Sequence, residues 1–146
     1  MGMGKTMIAA GVGCRHGTSA PDIEAAIRAA LVRANIAADA LDLIATVQAK
    51  SAEAGIRAVA DKLGVAMIVV SETELKAASD RTETRSERSL ALTGVPSVAE
   101  AAALAAAGPT SSLIAARLVV GTATCALAAS VPSPGVLPGT LPGDSP

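Results

Sequence analysis

One stretch near the start of the chain, Met7 to Ser19 (MIAAGVGCRHGTS), leaves the rest few ways to fold. Its apolar run Met7-Ile8-Ala9-Ala10 has strand length and meets Gly11, Gly13 and Gly17 just before an amphipathic pattern that begins near Pro21. The spacing predicts a strand, a glycine loop and a helix. Such a junction aims backbone N–H groups and the positive end of a helix dipole at one place, so it is a receptor for an anionic ligand. Arg15, His16 and Thr18 add polar side chains where glycine leaves the backbone bare.

The chain beyond this junction has to pack without any Phe, Tyr or Trp, although 51% of its residues are apolar. A core of Ala, Val, Leu, Ile and Met reaches native density only where backbones approach closely, as Ala-rich helices on a small-residue sheet would allow. Ser19 is the expected cap of a helix with Pro21, Asp22 and Glu24 in its first turn and an inner stripe of Ile23, Ile27, Ala30, Leu31 and Ala34. Leu41–Val47 reads as a second strand, and Ile56, Val59, Ala60 and Leu63 give helical spacing that Gly64 ends. The near-continuous apolar run Val65–Val70 predicts a strand buried on both faces, as in a parallel sheet covered by helices.

Ser71 then caps a short helix over Glu72–Ala78. The run Ser79–Ser89, in which Arg81, Arg85 and Arg88 alternate with Asp80, Glu83 and Glu87, reads as a solvated loop, with a lid over a ligand as the alternative. Ser97 has Glu100 at capping-box spacing ahead of an Ala-rich helix that Gly108-Pro109 stops. Leu113–Val120 and Thr122–Ala128 read as two strands hinged at Gly121. The expected organisation is a short extension at 1–5, one α/β layered domain over 6–130 with a mostly parallel sheet flanked by Ala-rich helices, and a Pro/Gly-rich disordered tail at 131–146.

Composition narrows the function. Twelve basic and 13 acidic residues in a chain of 146 give a net charge of −1, no footprint for nucleic acid or for an anionic membrane. Cys14 and Cys125 lie in separate segments, so neither a disulfide framework nor a zinc site is indicated, and a reducing cytoplasmic location is expected. The Met7–Val12 run is too brief for a signal segment or a membrane span. Gly2–Thr6 (GMGKT) imitates the end of a phosphate-binding loop without its first glycine or preceding strand. Gly11-x-Gly13-x-x-x-Gly17 has one residue too many for a dinucleotide fingerprint, although Asp39 or Asp42 stands where the acidic ribose ligand would. His16 beside Cys14 offers a Cys/His pair, with an ordinary loop histidine as the plainer reading, and Cys125 reads as a small buried hydrophobe. Lys50 and Glu53 follow the second strand, where open α/β sheets bind ligands; a solvated i, i+3 ion pair is the alternative.

The segments GVGCRHGTS, VQAKSAEAGI, VPSVAEAAALAAAG and TATCALA together resemble, in order and spacing, the CobE family and the homologous C-terminal domain of the CbiG proteins of cobalamin biosynthesis. The family's G-[IV]-G-C-R-[RK]-G-T motif is matched at Gly11–Thr18 with His16 in the second basic position, and its K-x-x-E-x-G element falls on Lys50, Glu53 and Gly55. Its V-x-E-x-A-A-L helix falls on Val98, Glu100 and Ala102–Leu104, and its closing strand on Thr124 and Ala126–Ala128. Arg117 stands where the family usually has Lys.

The resemblance implies the stand-alone CobE form and work on corrinoid precursors in the aerobic pathway, tetrapyrroles fringed with acetate and propionate groups and free of cobalt at this stage. It makes Gly11, Gly13, Cys14, Arg15, His16, Gly17, Thr18, Lys50, Ser97 and Thr124 the expected ligand-binding residues, with no metal and no other cofactor. Three functions stay open: a corrinoid-intermediate carrier; a precorrin hydrolase or lyase with Glu53 or Glu100 as general base and Arg15 or Lys50 stabilising negative charge; and a docking module for another cobalamin-pathway enzyme. The two-domain CbiG relatives point to the second, since they are associated with opening a ring-contraction lactone and losing a two-carbon fragment.

Overall fold

The structure, a computed structural model, describes residues 7–47, 53–83 and 97–130. In chain order its elements are β1 (Ile8–Cys14), α1 (Ala20–Ala34), β2 (Leu43–Val47), α2 (Ala54–Leu63), β3 (Ala66–Val70), α3 (Glu72–Ala78), α4 (Val98–Ala107), β4 (Ser111–Val120) and β5 (Ala123–Ser130). Local chemistry sets most of the boundaries. Ser19 Oγ accepts from Asp22 N to open α1, Ser71 and Glu74 form a reciprocal capping box on α3, and Ser97 Oγ accepts from Glu100 N on α4. Asn35 (φ 58°) ends α1 and Gly64 (φ 70°) ends α2, both in the left-handed region that closes a helix.

The strands form one sheet in the order β3-β2-β1-β5-β4. The pairs β1–β2 and β2–β3 are parallel, whereas β1–β5 and β5–β4 are antiparallel, so the sheet is mixed rather than mostly parallel. The Gly121-Thr122 turn is the reason, because a connection that short can join only antiparallel strands. Side chains alternate along β1: Ile8, Ala10 and Val12 pack with α1 and α2, and Ala9 packs with α3 and α4 on the other face.

Two further expectations change. Gly11 and Gly13 lie within β1 and not in a loop. A Cβ on Gly11 would collide with the carbonyl of Ala99 and stand 2.7 Å from Ala103 N, so α4 lies backbone to backbone on the strand. This is the close approach that a core without aromatic rings requires. The Val65–Val70 run, in turn, is an edge strand whose Ile68 and Val69 remain 38% and 37% exposed. The expected extension and tail, Lys50, and the greater part of the charged run lie outside the described residues.

The register brings the carboxyl ends of β1, β2 and β3 to one edge, where Cys14 pairs with Ala123 just after the β4–β5 turn. The four described helices begin at this edge and end at the other, since α1, α2 and α3 each follow the carboxyl end of a strand and α4 precedes β4, which runs parallel to β1. None of the described helices is long and apolar enough to cross a membrane.

Candidate functional site at the carboxyl edge of the sheet

Between β1 and α1 the chain makes a tight loop, Arg15–Ser19, and the edge site is built around it. Arg15 N donates to Thr122 O (3.1 Å) and Thr18 N to Arg15 O (3.1 Å), which closes the turn over Gly17 at φ 79°. Thr18, only 7% exposed, donates its hydroxyl to Arg15 O (2.7 Å). Its one proton being committed there, the 2.7 Å contact between Thr18 Oγ1 and Thr122 Oγ1 places the Thr122 hydroxyl as donor. Thr122, absent from the sequence-based site, thereby ties the β4–β5 turn to the loop through both backbone and side chain. The only local signal for it is a Gly-Thr pair at a hairpin turn.

Glu53 holds the loop from the opposite side. It occupies the cap position of α2, yet its side chain makes no cap bond and crosses to the loop, where Oε1 accepts from Gly17 N (3.0 Å) and Oε2 meets His16 Nδ1 (2.8 Å). The Glu53 side chain is 11% exposed and that of His16 is 96% exposed, so an almost buried carboxylate is fastened by a ring that stands in solvent. Gly55 makes this contact possible: a Cβ there would lie 2.6 Å from Thr18 O and 2.9 Å from Ile23 Cδ1. The Lys50, Glu53, Gly55 pattern thus gains a physical meaning at two positions, a clasp and the clearance that lets it close.

This arrangement revises how the loop meets an anion. The N–H groups of Arg15, Gly17 and Thr18 are turned onto the protein's own oxygens, and the exposed polar features are the Arg15 guanidinium and the His16 ring. Arg15 has no side-chain hydrogen bond or ion pair among the described residues. Cys14 ends β1 half-buried; Thr124 Oγ1, 3.3 Å from Gly13 O, donates to it and braces the end of that strand. Burial raises the Cys125 thiol far above its ordinary pKa, so that group stays protonated and inert.

Ser97 and Glu100 are not brought to this loop. They begin α4, which packs on the opposite face of the sheet from α1 and α2. Glu100 is fully buried, and instead of completing a capping box its carboxylate accepts from Glu83 N (2.6 Å) and Arg117 N (2.8 Å). Glu53 and Glu100 therefore do not form an acid/base pair. A hollow of about 310 Å³ between α3 and α4, lined by Glu74, Ala78, Arg81 and Gly108 among others, is also apart from the loop. Its Arg81 is committed to the oxygens of Gly108 and Ser111.

Comparison with known proteins agrees with this fold. The family model described as cobalamin synthesis G C-terminus matches residues 8–128. A protein described as Protein CobE, from Sinorhizobium sp, is 36% identical over 118 residues, covering 81% of this chain and 77% of the relative. The crystal structure of CobE, a protein from the cobalamin (vitamin B12) biosynthetic pathway, superimposes with a TM-score of 0.81 at 32% identity over 88% of this chain and 93% of that one. A cobalamin biosynthesis protein, chiG from Agrobacterium tumefaciens, gives 0.68 at 42% identity over 85% and 98%. With the match spanning β1 to β5, the chain belongs to the cobalamin synthesis G C-terminus family, whose members serve cobalamin biosynthesis.

Proposed function

We propose that this cobalamin-biosynthesis protein binds and hands on a corrinoid precursor in the cytoplasm, at the carboxyl edge of its sheet. The observation that carries the reading is the Arg15 guanidinium, exposed and without a side-chain partner among the described residues, on a loop that Glu53 and Thr122 hold in one shape. A precursor of this class presents several carboxylates around a flat ring. Arginine grips a carboxylate by two charge-assisted hydrogen bonds, and a pre-shaped loop spares the entropy of ordering on binding. The helices that begin at this edge add a positive field there.

The same geometry supports binding better than turnover. A general base has to reach the substrate. Glu100 is fully buried, with its oxygens held by backbone N–H groups, and Glu53 turns its oxygens toward Gly17 N and the His16 ring, where they hold the loop.

The test is gel filtration of the protein with hydrogenobyrinic acid, followed at the visible absorbance of the pigment. Co-elution with the wild type, lost in Arg15→Ala, is the expected result. Pigment that elutes apart from the wild-type protein would overturn the reading and favour an enzyme acting on a transient precursor or a docking module.

A further inference from the structure

We infer that Arg57 is a second cationic contact of the edge site, set to take another carboxylate of the same ring-shaped ligand; the inference rests on the binding role proposed above. The placement of basic side chains carries it. Arg33, Lys62 and Lys76 stand in the last turns of α1, α2 and α3, where the helix dipole favours a cation. Arg28 and Lys62 are paired to Glu24 at 2.7 and 2.8 Å, and Arg81 donates to the carbonyls of Gly108, which follows α4, and Ser111, which opens β4. Each of these positions helps the fold.

Arg15, Arg57 and Arg117 of β4 depart from that pattern; Arg117 is half-buried, whereas Arg15 and Arg57 stand exposed. Arg15 precedes α1, and Arg57 stands at the fourth position of α2, both on the side where the dipole repels a positive charge. Both are exposed, and Arg57, like Arg15, has no side-chain partner among the described residues. Neither therefore gains from the fold what the other cations gain.

Position and direction link the two. Arg57 lies four residues, one helical turn, after Glu53, and its backbone N–H donates to Glu53 O at 3.4 Å. Helix side chains lean toward the helix N-terminus, a tendency that favours an Arg57 stem directed back over the turn that Glu53 opens, the turn clasped to the Arg15 loop. Two guanidinium forks flanking one junction suit a rigid ligand with carboxylates on more than one side, whereas a single-carboxylate ligand would use only one of them.

Hydrogenobyrinic acid is the probe, titrated into the wild type, Arg57→Ala, Arg57→Lys and, as a control at the opposite edge, Arg33→Ala. The inference expects Arg57→Ala to weaken binding about tenfold, Arg57→Lys to recover part of the loss, and Arg33→Ala to match the wild type. It also expects the Tm of Arg57→Ala to equal or exceed that of the wild type, which a structural role would lower. Unchanged affinity in Arg57→Ala, with binding still lost in Arg15→Ala, would overturn this inference and leave the proposed function intact. No binding by the wild type would remove both.

Discussion

Glu53 and Glu100 sit at the starts of two helices with their carboxylates engaged by N–H donors, but in different surroundings. Glu100 is fully buried and bonds to the backbone of two separate segments, at Glu83 and Arg117. Glu53 lies at the rim and bonds to one loop, at Gly17 N and the exposed His16 ring. β4 explains the first case, because its pairing with β5 shifts register between Leu113 and Ala115 and again before Leu118. A strand that leaves its ladder strands an N–H, and Glu100 satisfies the one at Arg117. The contrast separates a carboxylate that completes the fold from one that shapes a surface.

Substitutions sharpen that contrast. Glu100→Ala leaves the buried N–H groups of Glu83 and Arg117 without their acceptor, and a loss on the order of 3–5 kcal/mol is expected in urea unfolding followed by circular dichroism. A loss below about 1 kcal/mol would break the comparison, since Glu100 would then not be a structural group. Gly11→Ala drives a methyl group into the backbone of α4 and should cost about 1–3 kcal/mol by the same assay.

Glu53→Ala should cost only about 1 kcal/mol of stability. Its main expected effect is on the loop: faster amide hydrogen exchange at Gly17 and weaker binding of hydrogenobyrinic acid. Large destabilisation without a change in loop exchange would place Glu53 with Glu100. The smallest effect concerns Glu24, whose carboxyl is held below its ordinary pKa first by the Lys62 hydrogen bond and then by Arg28. A lowered folded pKa contributes stability that is present above the unfolded value and is lost as the pH falls through the folded one. Glu24→Gln should therefore flatten the acid limb of the stability profile slightly, below the ordinary carboxylate range, and shift nothing at the loop.

What was legible in the sequence was what local chemistry decides. The serine caps at Ser19, Ser71 and Ser97 and the stop at Gly64 mark helix ends because the bonds involved span only a few residues. The absence of aromatic rings pointed to close backbone packing, which Gly11 under α4 displays. Strand order is not local, so the apolar β3 gave no sign of being at an edge. The same limit hid the interior role of Glu100, whose spacing from Ser97 fits a capping box but whose carboxylate bonds to segments 17 residues away on either side. In the site, Gly17, Thr18 and Glu53 come together around the loop, whereas Thr122 becomes visible only once the hairpin folds back over β1.

The most direct test of the account is the affinity of hydrogenobyrinic acid for the wild type, Arg15→Ala and Lys62→Ala, measured by visible titration. These two substitutions each remove one cation, the first from the loop and the second from the exposed ion pair with Glu24. The account predicts binding weakened by about 10- to 100-fold in Arg15→Ala and unchanged in Lys62→Ala. Equal losses in the two variants, or none in Arg15→Ala, would contradict it, because the pigment would then be held by net charge or at another surface and not by the loop that Glu53 clasps.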